Sequence, residues 1–422
     1  MPVPSMAASA GTPSPFKGRM LAFAAILLAA FNLRTAVTSL SPLLDVLGNE
    51  FAFGATMTGV LGMAPTAAFA LFGVATPSLT HRIGLERTAL LAMALACAGL
   101  ALRALVGGTG GLLATSLLAL AGMGIGNVVL PPLVKRYFPS RVGTVSTAYI
   151  TVLQLGTMLP ALAAVPVADA AGWRVSLGMW AVLAAVAAVA WIAVLRAGRR
   201  AGSPLARAPE AVVAPATTAT QAGVTAARGR VWRTPLGWGM AVMFGTTSLV
   251  TYAMFTWLPL LLVDAGASRA FGGNMVALFS ALGLLSALVM PSLATRLRNP
   301  FPVVLACGLA YFAAFAGLLW APMKAPVLWV VLLGLGPGTF PLTLTLINLR
   351  TRTPQASAAL SGFMQGVGYS LSCLGPLMFG LLHESSHGWT LPFAFLAACV
   401  VLTSLSALLV CRPQWLEDQW QR

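Results

Sequence analysis

The stretch AILLAAFNLRTAVTSLSPLL, residues 24–43, is apolar along most of its length but carries Arg34 near its middle. A guanidinium is a permanent cation with five hydrogen-bond donors, so its chemistry in such a place is the capture of an anion or a strong dipole. On a continuous helix Thr38 (i+4) and Ser41 (i+7) share its face, rather than Asn32 and Thr35 beside it in sequence. Two more polar stripes follow the same spacing. One is Gln365, Tyr369 and Ser372; the other is Ser248 and Tyr252, with Trp257 and Pro259 closer to one end of their run. Asn127 adds a further amide inside an apolar run. For each of these stripes an interhelical hydrogen bond, worth about 1 kcal/mol, is an alternative to substrate binding.

Arg34 is costly where it stands. It lies ~15 Å from the outer end of its helix at 1.5 Å rise per residue, and its side chain reaches only roughly 6–7 Å. Snorkelling therefore does not bring it to water. Insertion of an arginine at a membrane helix centre costs about 2.5–3.5 kcal/mol. The nine carboxylates offer no relief. Asp45, Glu50, Asp169, Asp264 and Glu384 fall at one set of helix ends, and Glu86, Glu210, Glu417 and Asp418 at the other. Two readings stand: Arg34 ties its helix to a neighbour's carbonyls, or it faces an aqueous cavity and holds a visiting anion. Intramembrane charges commonly mark substrate or ion pathways, which favours the second.

The elements that position these residues follow from composition. The chain has 422 residues, of which 58% are hydrophobic and 8% charged. Its mean hydropathy is +0.88. Soluble domains carry roughly 25% charged residues, so lipid must cover this surface. The net charge of +16 does not indicate nucleic acid, because the basic residues fall singly between apolar runs and not in a groove-sized patch. Apolar runs of spanning length predict helices over 20–44, 55–79, 88–106, 110–133, 143–167 and 174–195. The second half gives 236–263, 271–294, 301–321, 326–349, 357–381 and 389–411. The expected class is an all-α membrane protein with twelve transmembrane helices. The LysArg-rich start resembles a signal peptide, but the apolar character continues past Arg34 and the segment reads as an uncleaved span.

Twenty Lys and Arg residues fall on one set of loops, with only Arg103, Arg174, Arg269 and Lys324 on the other. The positive-inside rule then puts both termini in the cytoplasm of a bacterial inner membrane. The expected organisation is a tail over 1–19, a six-helix half over 20–196, a basic flexible linker over 197–234, a second half over 235–411 and a tail over 412–422. The halves repeat: PSLTHR (77–82) matches PSLATR (291–296), GMGIG (122–126) matches GLGPG (334–338), and GWR (172–174) matches GWT (388–390). A duplicated six-helix unit in parallel orientation is the architecture of the major facilitator transporters, with the substrate site between the halves near the midplane.

Other chemistry is absent from the pattern. No paired carboxylates, zinc-spaced histidines or Ser–His–Asp set occur within the spans, so an enzyme is not expected. The five cysteines lie in apolar runs without CxxC spacing, and neither a cofactor nor a metal is indicated. The GxG elements lack the strand that precedes a phosphate loop. Gly122/Gly126 and Gly334/Gly338 read instead as small-xxx-small pairs for close helix packing.

Two resemblances add to this. The loop PSLTHRIGLER resembles the major facilitator loop signature at Arg82 and Gly84, with His81 where that signature has Asp. The segments NLRTAVTSLSPLL, PPLVKRYFPSR, TWLPLLLVDAGAS, GLGPGTFPLTL and FMQGVGYSLSCLGP resemble the cyanate porter family of that superfamily. The family commonly has Pro after the helix-1 Arg, where this chain has Thr35. The resemblance implies alternating-access movement of a small anion such as cyanate, or export of a small heteroaromatic. In that reading Arg34 pairs with the substrate, with Thr38 and Ser41 on its face. Tyr252, Gln365 and Asn127 supply hydrogen bonds, and Tyr369 and Trp257 supply walls. His81, Arg82 and Gly84 form the cytoplasmic gating loop. A monomer in the bilayer is expected, and uniport, exchange and proton coupling through a group such as Asp45 all remain open.

Overall fold

The computed structural model describes residues 19–199 and 231–420. Most of the expected N-terminal tail and linker, and the last two residues, lie outside the described residues. Every long apolar run is helical. We number the spans α1 (Met20–Phe51), α2 (Ala55–Ile83), α3 (Leu85–Arg103), α4 (Thr109–Tyr137), α5 (Val142–Ala171) and α6 (Trp173–Gly198). The second half comprises α7 (Pro235–Asp264), α8 (Arg269–Arg296), α9 (Phe301–Trp320), α10 (Pro326–Leu349), α11 (Pro354–Ser372 continued by Leu374–Ser386) and α12 (Thr390–Val410). Among the described residues, eleven helices are long and apolar enough to cross a membrane. The remaining span, α11, is divided at Cys373. Pro376 lacks the N–H that would bond the Ser372 carbonyl, which accounts for the division.

Local chemistry sets the helix starts. Thr234, Ser268 and Thr353 cap α7, α8 and α11 by accepting from the amides of Gly237, Phe271 and Ala356. Arg350 caps the last turn of α12: its Nε and Nη2 donate to the carbonyls of Val410 (3.0 Å) and Cys411 (2.8 Å). The sequence had suggested only a loop charge at this position.

The halves meet through two helix pairs, α2 against α11 and α5 against α8. A six-helix shift turns each pair into the other, as a duplicated unit requires. Both halves have their own apolar clusters. One surrounds Leu33, Met93, Leu133 and Trp191; another surrounds Trp257, Phe279, Phe315 and Phe379.

Candidate functional site: a broken helix and its aromatic cage

Helix α1 does not run continuously through Arg34. It consists of Met20–Asn32, a turn at Leu33 and Arg34, Thr35–Thr38, a 3-10 turn at Ser41–Leu43 and Leu44–Phe51. The local sequence explains the break, because Asn and Thr compete with backbone partners for hydrogen bonds. The Asn32 amide donates to the Leu28 carbonyl at 2.8 Å, and the Thr35 hydroxyl to the Asn32 carbonyl at 3.1 Å. The Leu33 amide bonds three residues back to Ala30, tightening the last turn. Interrupted backbone at membrane depth is tolerated only where protein buries it or a water-filled cavity borders it.

Arg34 projects from this break. Its guanidinium lies over the Phe69 ring of α2, 4.6 Å from the centroid, and Nη1 donates to the Leu33 carbonyl at 3.3 Å. Phe69 in turn meets Tyr252 of α7 and Tyr369 of α11 edge-on, with centroids 6.4 and 6.3 Å away. Tyr369 also packs against Phe244 at 5.2 Å. One cation is thus gathered with three rings drawn from both halves. Among the described residues the Tyr252 and Tyr369 hydroxyls make no direct protein hydrogen bond.

Four carboxylates are held in ion pairs elsewhere, and Glu384 and Glu417 in hydrogen bonds. Asp45 pairs with Arg269 at 2.7 Å, Glu50 with Arg174 at 3.4 Å, Glu86 with Arg136 at 3.2 Å and Asp418 with Arg352 at 2.6 Å. Cation–π contact of about 0.5–2 kcal/mol offsets only part of a burial cost of about 2.5–3.5 kcal/mol.

The other expected site residues have hydrogen-bond partners of their own. The break lies before Arg34, so Thr38 stays one helical turn after it. The Thr38 hydroxyl donates back to the Arg34 carbonyl at 3.3 Å. The Ser41 hydroxyl reaches across the halves to the Phe255 carbonyl. Trp257 is a packing residue of the second half: its indole N–H donates to the Pro376 carbonyl at 3.0 Å, and its ring lies against Phe379 and Trp389. The Asn127 amide is donated to the Met123 carbonyl of its own helix at 3.1 Å. Gln365, half-buried one turn before Tyr369, donates to the Ser361 hydroxyl at 2.8 Å. Sequence reasoning missed Phe69, which sits in an all-apolar context and carries no signal. It also set aside Asn32 and Thr35, whose types did signal the break.

The glycine pairs differ among themselves. A Cβ on Gly122 would collide with the Ala92 carbonyl and the Ala96 backbone of α3, so this is true backbone approach. Gly126 instead faces the Leu33 side chain at the break, Gly334 faces Leu282, and Gly338 faces Met290. In the α2–α3 turn Gly84 has φ +85°, a conformation that favours glycine, while His81 and Arg82 are exposed. Near this turn Glu86 accepts from the Tyr137 hydroxyl at 2.8 Å as well as pairing with Arg136, and Arg19 donates to the Tyr137 carbonyl at 2.7 Å. This network ties α1, α3 and α4 within one half.

At the opposite end the halves are sealed together. Arg269 of α8 pairs with Asp45 of α1. Gly62 of α2 leaves room for Thr256 and Pro376 of the other half. Glu384, beyond the apolar part of α11, accepts from the hydroxyl of Thr56 and from its amide at 3.1 Å. These two bonds hold the Glu384 carboxyl below the usual carboxylate range. Toward the basic end nothing lies within 4 Å of the Cβ positions of Gly362 and Gly366 of α11.

Comparison with known proteins agrees with this architecture. The Major Facilitator Superfamily model matches residues 26–376. The chain is 31% identical over 409 residues to the 2-nitroimidazole transporter of Escherichia coli (strain K12), covering 94% of this chain and 97% of that one. It is 30% identical over 379 residues to the cyanate transport protein CynX of the same organism, covering 89% and 93%. Among solved structures it resembles a bacterial homolog of the human lysosomal transporter Spinster in an inward-facing, occupied conformation. That match has a TM-score of 0.74 at 14% identity and covers 96% of this chain and 99% of that one. The D-xylose–proton symporter gives a TM-score of 0.68 at 14% identity, covering 94% and 98%. A twelve-span chain of two repeated halves, aligned almost end to end with these transporters, belongs to the major facilitator superfamily.

Proposed function

We propose that the protein moves a small anionic or strongly dipolar solute across the bacterial inner membrane by alternating access, with Arg34 as the binding charge. The observation that carries this reading is a cation at a break in α1, without a carboxylate partner among the described residues, lying on the Phe69 ring, which meets Tyr252 and Tyr369 of the other half. A site walled by both halves changes its access when they rock against each other. The basic end is cytoplasmic in this reading, following the loop charges. Thr38, Ser41, Asn127 and Trp257 act at one remove, by shaping the helices that carry Arg34, Tyr252 and Tyr369. The protein works as a monomer, joined across its halves by the basic linker.

A second reading, a heteroaromatic bearing a nitro group, is favoured by the same rings. Phe69, Tyr252 and Tyr369 provide flat apolar surfaces beside a cation, which suits a planar dipolar ring better than a three-atom anion. The relatives bear the names of both substrate types. Proteoliposomes loaded with cyanate or with 2-nitroimidazole separate the readings. The first reading expects saturable cyanate flux that 2-nitroimidazole does not inhibit; the second expects the reverse. Flux of neither above protein-free vesicles contradicts both.

A further inference from the structure

A second cation, fully buried, contacts the α1 segment that follows Arg34. Arg103, at the end of α3, was expected at an exposed loop, yet it is 0% exposed. Its Nη1 donates to the Ala36 carbonyl of α1 at 2.9 Å. Ala36 lies two residues after Arg34, and no amide at position 40 takes its carbonyl, because the helix is interrupted there. The other guanidinium nitrogens, Nε and Nη2, are buried and have no partner. The pairings of Asp45 with Arg269 and Glu50 with Arg174 and Trp173 leave Arg103 without a carboxylate partner among the described residues.

Arg103 borders a cavity of about 20 Å³ lined also by Ser41, Gly62, Ser116, Phe255 and Thr256. The lining joins α1, α2 and α4 of one half to α7 of the other, so the cavity is complete only while the halves meet at the sealed end. The hydroxyl protons of Ser41 and Ser116 are already given to the carbonyls of Phe255 and Leu112. Arg103 is thus the charged residue bordering an otherwise largely apolar chamber. Room of this size admits one or two water-sized species. A buried charge without counter-charge is unfavourable, and its two free guanidinium nitrogens lack acceptors. A halide-sized monovalent anion answers both, whereas a sulfate or phosphate is too large.

We propose that Arg103 and this cavity form a second anion site, for a halide-sized monovalent anion, separate from Arg34 and assembled by closure of the sealed end. An anion bound there stabilises the closed arrangement of that end, because opening removes Phe255 and Thr256 from its walls. The site stands independently of the substrate reading for Arg34.

Two measurements on the full-length protein test it. In the first, sodium bromide replaces sodium gluconate at constant ionic strength while the melting temperature is followed. The expected result is a saturable rise in the wild type that persists in Arg34→Ala and disappears in Arg103→Gln. An equal rise in wild type and Arg103→Gln overturns the proposal, as does no rise in the wild type. Loss of the rise in Arg34→Ala but not in Arg103→Gln assigns the anion to the other site and also overturns it. In the second, crystals of the wild type are soaked in bromide, which needs no variant to fold. An anomalous peak beside Nε and Nη2 of Arg103 supports the site. Water alone at that position overturns it.

Discussion

Arg34 is held by what its neighbours do to the backbone. Asn32 and Thr35 each donate to a carbonyl of α1, and the helix turns aside between them. Phe69 then supports the cation with its ring face. Cation–π energies of about 0.5–2 kcal/mol predict that Phe69→Leu weakens substrate binding by roughly 2- to 30-fold. Titration of binding by calorimetry checks this, and unchanged affinity rejects the supporting role of the ring. Arg350 provides a contrast, since its partners are the last carbonyls of α12. Arg350→Met leaves those acceptors unpaired at a cost of about 1–3 kcal/mol. Its melting temperature is expected to fall while substrate affinity stays near wild type. The charge of Arg34 was plain in the sequence. Its aromatic partner was not, because an apolar ring in an apolar helix has nothing to distinguish it until the helices are packed.

At the scale of elements, the apolar runs and loop charges located the spans closely, since lipid demands long satisfied helices and little else. Within α1 the spacing from Arg34 to Thr38 is kept, while Ser41 donates to Phe255 of the other half, a partner that no local pattern names. The sealed end rests on a few contacts that can be tested. A side chain at Gly62 would meet Thr256 and the Pro376 ring. Gly62→Val is therefore expected to hold that end apart and stop transport. Spin labels in the α1–α2 and α11–α12 turns should report a longer distance, and an unchanged distance contradicts the packing argument. Glu384 adds a pH dependence with a defined sign. Its carboxyl lies below the usual range while bound to Thr56, so its contribution is present above that value and lost as pH falls through it. The same labels should show the sealed population falling on acidification, and Glu384→Gln should reduce that response.

For the whole molecule, duplication was legible in three short repeats, and the structure carries it into the paired contacts of α2 with α11 and α5 with α8. That symmetry puts Arg34, Phe69, Tyr252 and Tyr369 at a common boundary, although they lie far apart in the chain. No local pattern could have joined them, because their association comes from the docking of two halves. The account's central claim is that Arg34 is the charge that holds the solute. The most direct test is equilibrium binding of cyanate and of 2-nitroimidazole to purified wild type, Arg34→Lys and Arg34→Ala, each first shown to be folded by its melting transition. The account predicts that one of the two solutes binds wild type, binds Arg34→Lys more weakly and shows no saturable binding to Arg34→Ala. Wild-type affinity in folded Arg34→Ala would contradict it.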